Sequence, residues 1–136
     1  MDRFFVDTNF LLDLVVEERP GAAAAAQVFS LVSDGEVVAV VSPSSLKDFY
    51  YIARRAIDER QRREWIQLFM DAFMISVFDR STCSAALASD EPDFEDGIVQ
   101  AMAEYEGCGC IISGDERAFR GSSVPAMSSE EYLRER

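Results

Sequence analysis

Two kinds of apolar pattern alternate along this chain, and together they predict its secondary structure. Short, continuous apolar runs are typical of buried strands, and apolar residues three or four positions apart are typical of helices. The runs predict strands at 4–6, 37–41, 74–78 and 110–113, with a short edge strand at 124–126. The helical spacing predicts helices at 10–16, 22–33, 43–60, 61–72, 82–89 and 94–106, and a last helix from 128.

The alternation of strands with helices favours a three-layer α/β/α sandwich around a central, mostly parallel sheet. With 136 residues, we expect one domain that spans 1–136. A hydrophobic fraction of 49% excludes a disordered chain. No apolar run reaches the roughly 18 residues of a membrane helix, and charges near the start argue against a signal peptide. Three cysteines, an odd number, are expected as reduced thiols of a cytoplasmic protein.

The lack of histidine and the excess of acidic residues restrict the reactions and ligands that this chain could support. The chain has no histidine, which excludes Ser-His-Asp triads, RNA cleavage by paired histidines and zinc–histidine sites. Acidic residues number 25 against 13 basic ones, a net charge of −12. Such a charge opposes non-specific nucleic-acid binding, which depends on Lys and Arg. It suits hard divalent cations, which prefer oxygen ligands, or a basic protein partner.

Carboxylates occur where the predicted strands end or the next helices begin. Asp7 follows the first strand, Asp48 lies about one turn into the helix after the second, and Asp115 follows the fourth. Asp93 and Asp96 open the helix that precedes the fourth strand. Parallel strands bring these positions to the edge of the sheet where ligands bind. We therefore expect one acidic pocket there.

Each of these acids also has an ordinary structural interpretation. Asp7 and Asp93 can cap helices, Asp96 would then stand in a favourable first-turn position, and Asp48 can be solvated. Asp115 can belong to a turn beside a glycine. These interpretations do not explain why several carboxylates gather at one place, because gathered carboxylates repel one another unless their pKa values rise or cations bind. The conjunction favours a site for divalent cations.

Four segments in this order resemble the PIN domain, the metal-dependent ribonuclease fold that includes the VapC-like toxins of toxin–antitoxin pairs. The segments are VDTN at 6–9, SPSSLKD at 42–48, DFEDGIVQA at 93–101 and IISGDERAF at 111–119. They span nearly the whole chain. Two positions depart from the family pattern. The second acid, commonly Glu, is Asp48 beside Lys47, and Ser113 stands where Thr is common.

The resemblance implies a set of catalytic carboxylates that ligate Mg²⁺ or Mn²⁺. The implied carboxylates are Asp7, Asp48, Asp96 and Asp115, with Asp93 or Glu95 as an auxiliary ligand. Asn9 and Ser113 would orient water or the substrate phosphate. The implied reaction is hydrolysis of RNA phosphodiester bonds by a two-metal mechanism, which leaves a 5′-phosphate and a 3′-hydroxyl and needs no histidine.

The residues that would hold RNA give a weaker signal. The candidates are Arg54 and Arg55 after the second acid, and Arg117 and Arg120 after the fourth. A further basic run at 60–63 is interleaved with acids, and a solvated, salt-bridged face is at least as good an interpretation. The aromatic residues Tyr50, Tyr51 and Trp65 could stack on bases or pack in the core or a dimer.

The expected partners are an RNA substrate, an antitoxin protein and a second copy of the chain in a homodimer, with no membrane. The alternative function is a non-catalytic, acidic PIN-like protein-interaction module. The net charge and the shorter acid Asp48 favour that alternative, and the retained acids Asp7, Asp96 and Asp115 oppose it.

Overall fold

Five parallel strands form the central sheet in the computed structural model, which describes residues 2–114 and 123–136. The strands are β1 (Asp2–Val6), β2 (Val37–Val41), β3 (Met74–Ile75), β4 (Cys110–Ile112) and β5 (Ala126–Met127). The helices in the same part of the chain are α1 (Thr8–Val15), α2 (Ala22–Ser33), α3 (Pro43–Ile52), α4 (Glu59–Ala72), α5 (Arg80–Ala88), α6 (Phe94–Tyr105) and α7 (Ser129–Glu135). A 3₁₀ turn, Ala53–Arg55, follows α3. The three-layer α/β/α sandwich is confirmed.

The apolar runs of β1 and β2 serve both faces of the sheet because successive side chains of a strand point in opposite directions. Phe4 and Val6 belong to the larger core cluster, which also contains Phe49 of α3 and Phe69 of α4. Phe5 belongs to the second cluster, with Met102 of α6 and Ile111 of β4. Phe4, Phe5 and Val6 have no solvent exposure. This double burial explains why the strands have continuous apolar runs.

The strand order, β3-β2-β1-β4-β5, creates a switch point at the carboxyl end of β1. From β1 the chain proceeds to β2 on one side of it, and β4 pairs with its other side. The register places Val6 beside both Val41 and Ile112, so three strands end together. Crevices at such switch points are the usual ligand sites of open α/β sheets.

Two predicted elements differ in length from those observed. The helix predicted at 43–60 ends at Ile52, and Asp58 begins α4 with a reciprocal capping box to Gln61. The strand predicted at 74–78 has only two residues, and Val77 and Phe78 are exposed beyond it. A local cap therefore marks the start of the new helix, and β3 ends where its pairing partner β2 ends at Val41.

Smaller shifts of one or two residues occur at other ends. The helix predicted at 82–89 begins at Arg80 because the Asp79 carboxylate caps it. The edge strand predicted at 124–126 lies at Ala126–Met127. In the described part of the chain, no helix has the length and apolar character needed to cross a bilayer.

The three cysteines are free thiols. Cys108 and Cys110 are buried, and this burial raises the pKa of Cys108 to about 12 and that of Cys110 to about 11. Both thiols therefore stay protonated and poorly reactive at neutral pH.

Candidate active site

Asp7 lies where β1 ends and α1 begins, and several donors hold its carboxylate. Oδ1 accepts a hydrogen bond of 3.1 Å from the backbone N–H of Phe10, which caps α1. The hydroxyl of Ser113 and the backbone N–H of Asn9 also donate to this carboxylate. Desolvation by burial outweighs these hydrogen bonds and raises the pKa of Asp7 above its ordinary value, and the charge of Asp13 adds to this effect. The site therefore disfavours an uncompensated negative charge at Asp7.

A cavity of about 390 Å³ opens beside Asp7 and gathers acids from three elements. Asp48 comes from α3, and Glu95 and Asp96 come from the first turn of α6. Hydroxyl groups complete the polar wall, contributed by Ser42, Ser44, Ser45 and Ser113. Of the residues predicted from sequence, the cavity brings together Asp7, Asn9, Asp48, Asp96 and Ser113.

Asp93 lies apart from this cavity, Asp115 lies outside the described residues, and Asp48 lines the cavity with its carboxylate partly in solvent. Asp93 is exposed and does not line the cavity; its Oδ1 accepts the Asp96 backbone N–H at 3.1 Å and caps α6. Asp48 is half exposed, and its carboxylate is 3.6 Å from the Nζ of Lys47. Asp115 lies outside the described residues. The roles assigned to these three acids stay predictions.

The donors in the cavity have the right chemistry for a hard divalent cation, since they are carboxylate and hydroxyl oxygens. Within residues 2–114 and 123–136, no three or more His, Cys, Asp or Glu side chains are grouped closely enough to hold a metal ion. A set of three such ligands would need a residue from outside these ranges, and Asp115 follows Gly114 directly in the sequence. The half-buried carboxylate of Asp7 fits a site that a cation completes.

Most of the predicted basic cluster is paired with other side chains of the protein. Arg60 pairs with Glu64, and both Arg62 and Arg63 pair with Glu59. These pairs form the salt-bridged face that the sequence left as an alternative.

The first candidate RNA-binding arginines are not in the cavity wall. The Arg54 guanidinium lies 3.8 Å from the centroid of the Tyr51 ring and donates to the Tyr51 carbonyl oxygen at 2.6 Å. Arg55 is exposed. Arg117 and Arg120 lie outside the described residues. RNA binding by these four arginines stays a prediction.

The aromatic residues named from sequence are also engaged within the protein. Tyr50 lies under the guanidinium of Arg62, which is 4.4 Å from the ring centroid. Trp65 packs against Phe69 of the larger core cluster, with ring centroids 5.8 Å apart. Neither residue lines the acidic cavity.

Sequence reasoning missed a polar network at the edge of the site. Arg19 Nε donates to Asp13 Oδ1 at 2.6 Å, and its Nη2 donates to Asn9 Oδ1 at 3.3 Å. A second cavity of about 730 Å³ is lined by these three residues and shares Asn9 and Ser113 with the first. The spacing of Asn9 and Asp13 was the available signal, since residues four apart share a helix face.

It also missed two aromatic residues, Phe78 and Phe94, which line the acidic cavity and are 39% and 47% exposed. No sequence signal identifies them, because exposure of an aromatic side chain depends on tertiary structure.

A parallel sheet whose switch point carries acids from three elements defines a class of α/β proteins with an acidic site at the strand ends. Comparison with known families narrows that class. The family model described as "PIN domain" matches residues 3–117, which is most of the chain. The chain belongs to the PIN domain family.

Similar proteins are found among curated sequences and solved structures. Ribonuclease VapC1 of Aquifex aeolicus is 23% identical over 136 residues, which cover 96% of this chain and 93% of that one. VapBC2 from Rickettsia felis, solved bound to a promoter DNA fragment, superposes with a TM-score of 0.68 at 10% identity, covering 93% of this chain and 98% of the other. Mycobacterium tuberculosis VapC20, a sarcin-ricin loop cleaving toxin, gives 0.67 at 16% identity, covering 84% and 91%. At these identities the structural matches show the fold alone.

Proposed function

We propose that this chain is a divalent-metal-dependent ribonuclease, a single PIN domain that hydrolyses RNA phosphodiester bonds at the cavity between Asp7 and Asp96. The observation that carries the proposal is the convergence of acids from β1–α1, α3 and α6 in one cavity at the switch point. The similar proteins VapC1, a ribonuclease, and VapC20, a sarcin-ricin loop cleaving toxin, support it.

Asp7, Asp96 and Asp115 would hold Mg²⁺ or Mn²⁺, with Asp48 as a further candidate. The bound ions would lower the pKa of the attacking water and offset the charge that develops on the leaving oxygen. The protein's own part is to fix the donors. The bonds from Phe10 and Ser113 keep the Asp7 carboxylate in one orientation, which is the role that supporting hydrogen bonds have around metal ligands.

The contacts of Asn9 and Ser113 support the orienting roles proposed for them. Ser113 is buried and donates to Asp7, so its hydroxyl positions a ligand rather than meeting solvent. Asn9 uses its amide oxygen to accept from Arg19, which leaves its amide NH₂ to donate toward a substrate phosphate. Neither role needs a histidine, and the chain has none.

The test is cleavage of 5′-labelled transfer and ribosomal RNA with Mn²⁺, with chelator, and with the Asp96→Asn variant. We expect discrete cuts that leave a 5′-phosphate and a 3′-hydroxyl, and at least a roughly 100-fold lower rate for the variant, since even outer partners of a metal ligand are worth 10–100-fold. Asp90→Asn is the matched control, because Asp90 is exposed and outside the cavity. Cuts that survive chelator or Asp96→Asn would refute the site, and an absence of cuts would favour a non-catalytic interaction module.

The proposal includes a homodimer and an antitoxin partner. Large apolar side chains are exposed on α3 and α4: Tyr51 at 62%, Ile52 at 45% and Met70 at 51%. The structural relative VapBC2 was solved as a complex with DNA, and another relative, from Klebsiella pneumoniae, is a toxin–antitoxin complex. Light scattering of the purified chain would measure the dimer directly, and a monomer at all accessible concentrations would refute it.

A further inference from the structure

The acidic cavity is also lined by apolar residues that the metal chemistry does not use. Phe78, in the segment between β3 and α5, and Phe94, at the start of α6, line it with exposed rings. Ile98, Val99 and Met102 of α6 complete this part of the wall. One cavity therefore joins a carboxylate and hydroxyl wall to an apolar wall that carries aromatic rings.

Among the described residues, neither phenylalanine ring packs against another aromatic ring or against a guanidinium group. No aromatic–aromatic or cation–π contact within the described residues involves Phe78 or Phe94. Both residues are also absent from the two core clusters. By contrast, Tyr50, Tyr51 and Trp65 are each held by another side chain of the protein. The two phenylalanine rings therefore keep faces that can receive a ligand.

The arrangement matches the two halves of a nucleotide. A phosphate held at the acidic residues of the cavity would leave its sugar and base to extend along the same cavity. Aromatic faces bind unpaired bases by stacking, in a manner that tolerates different sequences. Such stacking would also supply a contact that needs no positive charge, which matters because the basic run on α4 is paired with acids.

We propose that Phe78 and Phe94 form a base-binding subsite, in which an RNA base adjoining the phosphate at the acidic wall stacks on one or both rings. The inference deepens the proposed function and rests on it for the nature of the ligand. It commits to an unpaired nucleobase because the apolar wall is continuous with the acidic wall where a phosphate and its cations would sit.

The test measures binding rather than turnover. In the Asp96→Asn background, binding of an end-labelled, single-stranded RNA of 12 nucleotides is followed by fluorescence anisotropy in Mg²⁺, and each base in turn is replaced by an abasic site. Stacking is worth about 1–3 kcal/mol per base, which corresponds to roughly 5–150-fold in Kd. We expect one or two abasic positions to weaken binding by this factor.

The variants Phe78→Ala and Phe94→Ala should weaken binding of the intact RNA to a similar extent, and the abasic penalty should shrink in them. Phe94→Leu keeps apolar volume but removes the ring, so it should behave more like alanine than like phenylalanine. Tyr105→Ala is the matched control, because Tyr105 is an aromatic residue on the same helix that is 75% exposed and outside the cavity. Melting curves followed by circular dichroism verify that each variant folds.

Three results would overturn the inference: an unchanged abasic penalty in both alanine variants, wild-type-like RNA affinity of those variants, or no RNA binding by the parent. If the variants bind RNA normally but lose a protein partner, the surface is a protein-docking site instead. A parent that binds RNA as expected while the wild-type chain cleaves nothing would refute the ribonuclease proposal and leave the subsite standing.

Discussion

Replacement of Asp7 by Asn tests whether the site holds a charge that only a cation can compensate. The amide keeps an acceptor oxygen for the backbone N–H of Phe10 and for the hydroxyl of Ser113. Asn is as good a helix N-cap as Asp, so the cap on α1 is retained. The substitution therefore removes the charge and little else.

The expected gain follows from the pKa of Asp7, which desolvation raises above its ordinary value. Each pKa unit of such a displacement corresponds to about 1.4 kcal/mol, part of which solvent screens because the side chain is half-buried. We expect Asp7→Asn to raise the free energy of unfolding at neutral pH in chelator. For a chain of this length, each kcal/mol gained corresponds to roughly 3–5 °C in Tm.

The sign of the pH dependence is fixed by the direction of the pKa change. With the folded pKa raised, the native state takes up the proton more readily than the unfolded state. The wild-type chain therefore recovers stability as pH falls through the folded pKa. The advantage of the Asn variant should be largest above that pKa and should vanish below the ordinary Asp pKa of about 3.9.

Divalent cations should reverse the order of stability. A ligand at 100 times its Kd stabilises the native state by about 2.7 kcal/mol, and a variant without the Asp7 carboxylate should gain much less. Urea unfolding of both chains at several pH values, in chelator and in Mn²⁺, measures the pH dependence and the stabilisation by the cation. Asp90→Asn makes the same charge change at an exposed position and should show neither effect. A destabilised Asp7→Asn variant in chelator, or equal stabilisation of both chains by Mn²⁺, would refute the reasoning.

Three further predictions concern other parts of the molecule. Arg19→Gln leaves the carboxylate of Asp13 without its 2.6 Å partner and should cost about 1 kcal/mol in urea unfolding, a loss that an added Asp13→Asn should largely remove. Gly97→Ala places a Cβ about 3.2 Å from a backbone carbonyl of α5, so overpacking should exceed the roughly 1 kcal/mol gain in helix propensity and lower the Tm, whereas Gly109→Ala, with ordinary 3.8 Å contact, should be neutral. Cys83 is half-buried, whereas Cys108 and Cys110 are buried. One thiol per chain should therefore react rapidly with Ellman's reagent at pH 8, and all three should react in denaturant. Rapid reaction of all three thiols in the native chain would contradict the burial.

The fold was largely predictable because its central strands, β1, β2 and β4, are mostly buried. A continuous apolar run such as 37–41 fits neither the pattern of an amphipathic helix nor that of a half-exposed strand. It therefore leaves few alternatives to a buried strand. The break between α3 and α4 was not predictable in the same way. The helix-forming residues around Arg60 continue the pattern, and only the capping box of Asp58 marks the new start. Strand β3 ends at Ile75 because Ile75 pairs with Val41, the last residue of β2, and the residues after Ile75 have no strand partner in β2.

The candidate site was predictable to the extent that topology alone positions it. Asp7 and Ser113 had to approach each other because β1 and β4 are paired and end together. The distinction between Asp93 and Asp96 was not available from sequence, since both open the same helix. The structure separates them by rotation around α6: Asp96 lines the cavity while Asp93 caps the helix outside it. Exposure of Phe78 and Phe94 likewise depends on packing that no local pattern encodes.

The proposed function has to reconcile a net charge of −12 with an anionic substrate. Acids that repel RNA at long range also attract divalent cations, so a cation-loaded cavity would be a place on such a surface where a phosphate gains by approaching. The salt-bridged arginines of α4 add little attraction, because their charge is already offset by Glu59 and Glu64. The proposal therefore gives weight to contacts that do not need net positive charge. Base stacking on Phe78 and Phe94 beside the acids of the cavity would be such a contact.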